Sequence, residues 1–186
     1  MNVYDFDNTI YDGDSTFDFY VFCLKKHKKI IRLFPSLTSA FTKYYVLKKG
    51  TKTQFKEKMY QFLSLIDTEK EVNLFWETHR KNIKSWYYEN QKADDIIISA
   101  SPEFLLNPIC KSLGIQHLIA SRVSPENGKY SGINCHGKEK VRLFREQFDG
   151  EIDEFYSDSY SDTPLAEISK KAFMVKKNKI SNWIFK

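Results

Sequence analysis

The spacing of hydrophobic residues divides the chain into a helical part and a part where strands and helices alternate. Residues 15–88 carry apolar positions at helical spacing, as in "FDFYVFCLKKHKKIIRLF" and "EKEVNLFWETHRKNIKSWYYEN". Pro35 and Gly50 interrupt this pattern, so we expect about four helices there. Before it, Val3, Tyr4 and Phe6 form a short apolar run that predicts a first strand.

After residue 88 the pattern changes to alternating strands and helices. The stretch "DDIIISASP" predicts a buried strand, followed by a helix over about 103–113, a strand near 117–121 and a hairpin in "SPENGKYSG". A helix over about 140–148, the strand "DEFYSDS", a helix from near Pro164 and the strand "AFMVK" complete the pattern. This alternation predicts an α/β fold, a Rossmann-like parallel sheet with right-handed crossovers.

The change of pattern also predicts a division into domains. A chain of 186 residues is long enough for one domain with an insertion or for two small domains. We expect residues 1–12 and 89–186 to form the α/β core, and residues 13–88 to form an inserted, all-helical domain.

Polar side chains follow the predicted strands at the points where they end. Asp5 and Asp7 are one residue apart in an apolar run, although Asp is depleted from strands and costly to bury unpaired. Ser99 ends the second strand, and Asp158 ends the strand "DEFYSDS", with Asp162 four residues on. Ligands of parallel sheets bind outside the carboxyl ends of the strands. Carboxylate oxygens there suit Mg²⁺, which takes one or two carboxylates, waters and substrate phosphate.

Each of these residues also has an ordinary structural explanation. A single Asp at a strand end is commonly a turn residue, Ser99 is explicable as a loop hydroxyl, and Asp162 as a helix N-cap before Pro164. Their shared position at strand ends favours a functional site. Lys138 and Lys140 lie at the start of the next helix, and only one of them can point into the site.

Four segments together resemble a known family. "DFDNT", "SASPEFL", "GKEKVRLF" and "SDSYSDTPL" are similar, in order, to the four motifs of the haloacid dehalogenase superfamily of phosphohydrolases. Within it the pattern is most similar to the phosphoserine-phosphatase-like subfamily IB, and the helical part resembles the C1-type cap of that family. The resemblance implies a Mg²⁺-dependent phosphomonoester hydrolase that forms an aspartyl-phosphate intermediate.

The resemblance also implies a role for each motif residue. Asp5 is the nucleophile and Asp7 the general acid and base. The implied metal ligands are Asp5, the backbone carbonyl of Asp7 and Asp158, and Asp162 either binds the metal or steadies a water bound to it. The implied phosphate-binding groups are Ser99, the Ala100 N–H and Lys140.

The substrate is the least determined part of the prediction. Phosphoserine phosphatases have a substrate-binding glutamate where this chain has Asp14, so Asp14 is a weak substrate candidate and phosphoserine itself is disfavoured. We expect a small anionic phosphorylated metabolite. A lipid phosphate similar to phosphatidylglycerophosphate is the alternative that the resemblance leaves open, and so is transfer of the phosphoryl group to an alcohol.

Charge is distributed unevenly. The chain carries a formal charge of +5, yet ten basic and no acidic residues lie between Asp18 and Glu57. Three interpretations stay open: a solvated lysine-rich surface, steering of anionic substrates, or peripheral membrane contact, because lysines and aromatics interleave in "KKHKKIIRLFPSLTSAFTKYYVLKK".

A second class of function is a non-catalytic basic module that binds nucleic acid or an anionic membrane. Four carboxylates would repel such ligands, so we expect no nucleic-acid partner. The sequence does not address the oligomeric state. Three cysteines without C-x-x-C spacing, and a strand pattern where a targeting signal would lie, predict a cytoplasmic protein with reduced thiols.

Overall fold

The computed structural model describes residues 1–185, and a six-stranded sheet lies at its centre. The strands are β1 (Asn2–Tyr4), β2 (Ile96–Pro102), β3 (His117–Ser121), β4 (Ile152–Ser157), β5 (Ser169–Lys176) and β6 (Lys179–Asn182). Their order is β3-β2-β1-β4-β5-β6, and all neighbours are parallel except β5 and β6. The predicted α/β fold with a Rossmann-like sheet is confirmed.

The central strands are apolar because helices cover both faces of the sheet. Side chains alternate between faces along a strand. Tyr4 and Ile97 therefore join one hydrophobic cluster, whereas Val3, Ile96 and Ile98 join a second cluster on the other face. Burial on both faces is typical of parallel sheets and explains the continuous run "IIIS".

Five α-helices lie between β1 and β2, and we refer to residues 15–90 as the helical segment. They are α1 (Ser15–Lys26), α2 (Phe34–Phe41), α3 (Lys52–Tyr60), α4 (Thr68–His79) and α5 (Ser85–Asn90). Short 3-10 turns separate several of them, and a π-helical turn over Thr42–Val46 follows α2.

The helical segment has one α-helix more than the four expected. The quoted stretch over residues 69–90 has helical spacing throughout, but α4 ends at His79 and α5 begins at Ser85. Ile83 forms an antiparallel bridge with Tyr11, and the Lys84 N–H donates to the Ile10 carbonyl at 2.8 Å. These backbone bonds to the loop after β1 replace helical bonds, and periodicity does not reveal them.

One face of the sheet and the helical segment share a hydrophobic core. Phe19 and Phe75 of the helices belong to the same buried cluster as Phe6 beside β1. The Trp76 indole N–H donates to the Leu105 carbonyl at 2.7 Å, a direct bond between the helical segment and the helix that follows β2. These contacts fix the helices against the strand ends.

The remaining helices connect the later strands. They are α6 (Glu103–Ser112), α7 (Lys138–Gln147) and α8 (Thr163–Glu167). The predicted hairpin in "SPENGKYSG" is present but short: Val123 and Tyr130 form an antiparallel bridge, and the Ser124 N–H donates to the Lys129 carbonyl at 2.8 Å. Strand β6 is absent from the sequence prediction, because all four of its residues are exposed and it lacks the apolar alternation that marks a strand.

The cysteines and the apolar character of the helices complete the description of the fold. Cys23, Cys110 and Cys135 are buried and form no disulfide. Within residues 1–185, no helix combines the length and apolar character needed to cross a bilayer.

Asp95, just before β2, has a buried carboxyl group that is incompletely hydrogen-bonded. Its side chain is buried, accepts the Lys92 N–H at 2.8 Å, and keeps one oxygen, Oδ1, without a partner among the described residues. Burial raises the pKa of Asp95 to about 6. The pKa of Asp95 is higher in the folded state than in the unfolded state, so ionisation of this carboxyl lowers the free energy of unfolding at pH values above about 6. This loss of stability becomes smaller as the pH falls towards 4.

We therefore expect Asp95→Asn to increase the free energy of unfolding at pH 7.5 by roughly 1–2 kcal/mol. The gain should shrink strongly towards pH 4, where the wild-type carboxyl is protonated in the folded state and about half protonated in the unfolded state. Urea unfolding at both pH values checks this. Asp94→Asn removes the same charge from the exposed neighbouring side chain and should change stability little. Equal stability of wild type and Asp95→Asn at pH 7.5 would contradict the prediction.

Candidate active site

Asp5 lies directly after β1, where the sheet places it beside β4. Its N–H donates to the Tyr156 carbonyl at 2.8 Å, which continues the pairing of the two strands. The buried neighbours Val3, Tyr4 and Phe6 anchor this stretch in the core. The Asp5 carboxylate is therefore held at the carboxyl edge of the sheet with little freedom to move.

Lys140 bridges two of the predicted site residues. It projects from the first turn of α7 and is 2% exposed. Its Nζ donates to Asp5 Oδ1 at 2.6 Å and to Asp162 Oδ2 at 2.7 Å. Lys138, the alternative, has an exposed side chain. The structure thus brings Lys140, and not Lys138, to the carboxylates.

The buried group of Asp5, Lys140 and Asp162 has more negative than positive charge. Burial raises the pKa of Asp5 to about 7, the Lys140 ammonium opposes this shift, and the charge of Asp162 reinforces it. Burial by itself would lower the pKa of Lys140, but attraction to the two carboxylates outweighs burial, so the pKa of Lys140 is raised. Lys140 is therefore a cation that compensates only part of the local negative charge.

Asp7 occupies a different environment on the turn that follows Asp5. One carboxylate oxygen accepts the Ser15 N–H at 2.7 Å and the other accepts the Ser101 hydroxyl at 2.5 Å. Burial and the nearby Asp14 raise the pKa of Asp7 to about 6, although these hydrogen bonds act in the opposite direction. A carboxyl with a pKa near neutrality can both give and accept a proton.

Asn8 allows the chain to turn between these residues and α1. Its φ is +56°, a left-handed conformation that Asn adopts more readily than most residues. Its N–H donates to the Gly13 carbonyl at 2.8 Å. Asp14 then caps α1 by accepting the Phe17 N–H at 2.9 Å. Asp14 thus has a structural role, and it also lies close enough to Asp7 to affect its pKa.

The end of β2 supplies hydroxyl groups opposite Asp7. Ser99 is buried, and its Oγ accepts the Ser101 N–H at 3.1 Å, which leaves its own hydroxyl proton available for a ligand. The Ala100 carbonyl accepts the Lys56 ammonium and the Ser121 hydroxyl, both at 3.0 Å. These bonds fix the backbone of the segment that the sequence assigns to phosphate binding.

The end of β4 supplies the last two predicted residues. The Asp158 N–H donates to Thr9 Oγ1 at 3.0 Å, and the Thr9 hydroxyl approaches Asp5 Oδ2 at 3.5 Å. Burial raises the pKa of Asp158. Asp162 Oδ2 accepts the Ser157 hydroxyl at 2.9 Å in addition to Lys140, whereas Asp162 Oδ1 is buried and has no hydrogen-bond partner among the described residues.

This arrangement fits a hard cation. Among residues 1–185, no three or more Asp, Glu, His and Cys side chains are grouped as a complete metal site. Mg²⁺ does not need such a group, because it retains waters and binds substrate phosphate beside one or two carboxylates. The uncompensated charge around Asp5 and the unpartnered oxygen of Asp162 fit such an ion.

A cavity of about 310 Å³ opens beside Asp7. Its wall includes Asp7 from the turn after β1, Asp14 from the N-cap of α1, and Ala100 and Ser101 from β2. The helical segment contributes, among others, Tyr45, Phe55, Lys56 and Met59. A larger cavity of about 560 Å³ lies between α2 and α3, and none of the predicted site residues lines it. The smaller cavity is therefore the better candidate for the substrate.

Sequence reasoning missed three residues that the structure brings to the site. Ser101, which bonds Asp7, lies two residues after Ser99, and strand periodicity could have placed both on one face. Thr9 stands within the quoted motif "DFDNT" and links Asp5 to the Asp158 backbone. Lys56 had no local signal, because it reaches Ala100 from a helix 44 residues away in sequence.

Part of the chain is similar in sequence to a curated bacterial protein. A probable phosphatase of Mycobacterium tuberculosis is 36% identical over 90 residues, which cover 44% of this chain and 31% of that protein. The match thus spans about a third of that curated relative.

Solved structures share the fold. A protein of unknown function from Bordetella pertussis superposes with a TM-score of 0.74 at 20% identity, over 92% of this chain and 87% of that one. A phospho-aspartyl intermediate analogue of phosphoserine phosphatase superposes with a TM-score of 0.51 at 16% identity, over 91% and 83%. Identities at this level establish likeness of fold alone.

The family assignment rests on a longer match. The family model for haloacid dehalogenase-like hydrolases matches residues 3–167, from the first strand through the last helix. That range includes Asp5, Ser99, Lys140 and Asp162. The chain belongs to the haloacid dehalogenase-like hydrolase family.

Proposed function

We propose that the protein is a Mg²⁺-dependent phosphomonoester hydrolase of subfamily IB that forms an aspartyl-phosphate and acts on a small anionic phosphorylated metabolite. The observation that carries this proposal is the buried Lys140 between Asp5 and Asp162, beside the separately held Asp7. The relative from Mycobacterium tuberculosis, a probable phosphatase, and the neighbouring phosphoserine phosphatase, captured as a phospho-aspartyl analogue, support it.

The same proposal covers the organisation and location of the protein. Residues 1–12 and 89–186 act as the catalytic core, and residues 13–88 act as a C1-type cap. The position of α1 to α4 within residues 13–88, and the contribution of this segment to the cavity wall, support this division, although α5 crosses its second boundary. Three unpaired cysteines favour a cytoplasmic location.

In the first half-reaction, an Asp5 carboxylate oxygen attacks phosphorus and the bond to the leaving oxygen breaks. Asp7 protonates that oxygen, which releases the alcohol and leaves the phosphoryl group on Asp5. In the second, Asp7 takes a proton from water as the water attacks phosphorus, and the Asp5–phosphoryl bond breaks to release phosphate. The raised pKa of Asp7 suits this change from acid to base.

The other residues position and neutralise the transferred group. The Ser99 hydroxyl and the Ala100 N–H bind phosphoryl oxygens, and Lys140 compensates their negative charge. Asp5, the Asp7 carbonyl and Asp158 would hold Mg²⁺, with Asp162 as a further ligand or as a partner of a water on the ion. The ion would supply further charge compensation to the phosphoryl oxygens. Asp14 borders the cavity and is a weaker candidate for contact with the substrate.

Hydrolysis of a generic aryl phosphate tests the proposed function. We expect phosphate release with Mg²⁺, none with EDTA, and none from Asp5→Asn, because the amide is a poor nucleophile. Asp158→Asn should need more Mg²⁺ for half-maximal rate. Asp12→Asn makes the same change at an exposed position of the loop after β1, which also contains Asp5, and this variant should retain the wild-type rate. Turnover by Asp5→Asn, or turnover unaffected by EDTA, would refute the proposal.

The two lysines allow a paired test. Lys140→Met removes the ammonium between two buried carboxylates, so we expect a loss of kcat of about a hundredfold or more. Lys138→Met changes an exposed side chain and should leave kcat unchanged. Circular dichroism of both variants separates loss of folding from loss of rate. Equal effects of the two substitutions in folded protein would argue against the role of Lys140.

A further inference from the structure

Residues 28–49 present an unusual concentration of exposed apolar side chains, and we call this region the 28–49 surface. Its exposed large apolar residues are Ile31, Phe34, Phe41, Tyr45, Val46 and Leu47. Val46 is 66% exposed and Leu47 is 57% exposed. Neither α2 nor the π-helical turn after it contains a buried residue. Leu37 of α2 packs against the core, whereas the six apolar residues named above remain exposed, although a helix normally buries its apolar side chains.

Exposed cations are interspersed with these apolar residues along the same segment of the chain. They are Lys28, Lys29, Arg32, Lys43, Lys48 and Lys49. No acidic residue occurs between Asp18 and Glu57 in the sequence. Among the ion pairs formed within residues 1–185, none includes a cation of the 28–49 surface. The partner of this surface must therefore be both apolar and anionic.

We propose that the 28–49 surface docks the protein on an anionic lipid bilayer. A bilayer interface offers hydrocarbon to the aromatic and aliphatic side chains and lipid phosphates to the lysines that flank them. A second copy of this chain would bring the same cations into contact with these, which repel. Nucleic acid would pair with the lysines but would leave the aliphatic Ile31, Val46 and Leu47 without a suitable contact.

The 28–49 surface is continuous with the candidate active site. The Phe41 ring lies 4.7 Å from the Tyr45 ring, and the Tyr45 ring lies 5.4 Å from the Phe55 ring. Tyr45 and Phe55 line the cavity that contains Asp7. Docking would therefore bring the mouth of that cavity close to the bilayer. This consequence rests on the proposed function, whereas docking itself does not.

Vesicle co-sedimentation of the full chain tests the proposal. We expect binding to vesicles of phosphatidylcholine and phosphatidylglycerol in equal parts, and little binding to pure phosphatidylcholine. Val46→Ser with Leu47→Ser should reduce the partition coefficient about tenfold, because it removes apolar insertion. Lys29→Gln with Lys48→Gln should reduce it to a similar extent, because it removes attraction to lipid phosphate.

Matched variants control for composition. Ile133→Ser changes a side chain that is also 66% exposed but lies outside the 28–49 surface, and Lys81→Gln with Lys111→Gln removes two exposed charges elsewhere. Both controls should bind like the wild type. The Val46 and Leu47 variant should also keep the wild-type rate on a soluble aryl phosphate, which separates failure of docking from failure of catalysis.

Several outcomes would overturn the proposal. One is an absence of binding to the anionic vesicles, and another is binding that the Val46 and Leu47 variant retains in full. Equal binding to both kinds of vesicle would exclude the role of the lysines. A dimer in sedimentation velocity that is absent from the Val46 and Leu47 variant would assign the surface to a second copy of this chain. Binding of a duplex DNA probe to the wild-type protein, lost in the Lys29 and Lys48 variant, would assign the surface to nucleic acid.

Discussion

The ammonium of Lys140, buried between Asp5 and Asp162, is the interaction on which the site depends. Two carboxylates this close would repel each other and would be costly to bury without a cation between them. The lysine fixes their separation, but one positive charge against two negative charges leaves the group unbalanced. This excess of negative charge would attract a divalent cation, and the bound cation would in turn compensate the charge of a transferring phosphoryl group.

The topology of the sheet explains why residues far apart in sequence meet here. Parallel pairing of β2, β1 and β4 brings their carboxyl ends to one edge, so that Ser99, Asp5 and Asp158 become neighbours. The helical segment then encloses the edge through a core shared with the sheet, and its residue Lys56 reaches the Ala100 carbonyl. The shared core holds the wall of the cavity in a fixed relation to the carboxylates.

The sequence predicted the parts of the molecule that have local signals. The strand and motif spacing around Asp5 and Ser99 predicted the fold and the family, which are confirmed. The break before α5 was missed because it results from backbone pairing with the distant loop residue Tyr11, which hydrophobic periodicity does not show. Strand β6 was missed because it pairs at the edge of the sheet with all its residues exposed, and it has no apolar alternation. Lys56 was missed for a related reason, since its long-range contacts have no sequence signature.

The central claim is that Asp5 carries the phosphoryl group, and trapping that species tests it most directly. The Asp7→Asn variant is suited to this, because an aryl leaving group needs little protonation whereas hydrolysis of the acyl phosphate lacks its base. After incubation of this variant with an aryl phosphate and Mg²⁺ and an acid quench, mass spectrometry should find one added phosphoryl group on the peptide that contains Asp5. A peptide without the added group, or phosphorylation of a different residue, would contradict the account.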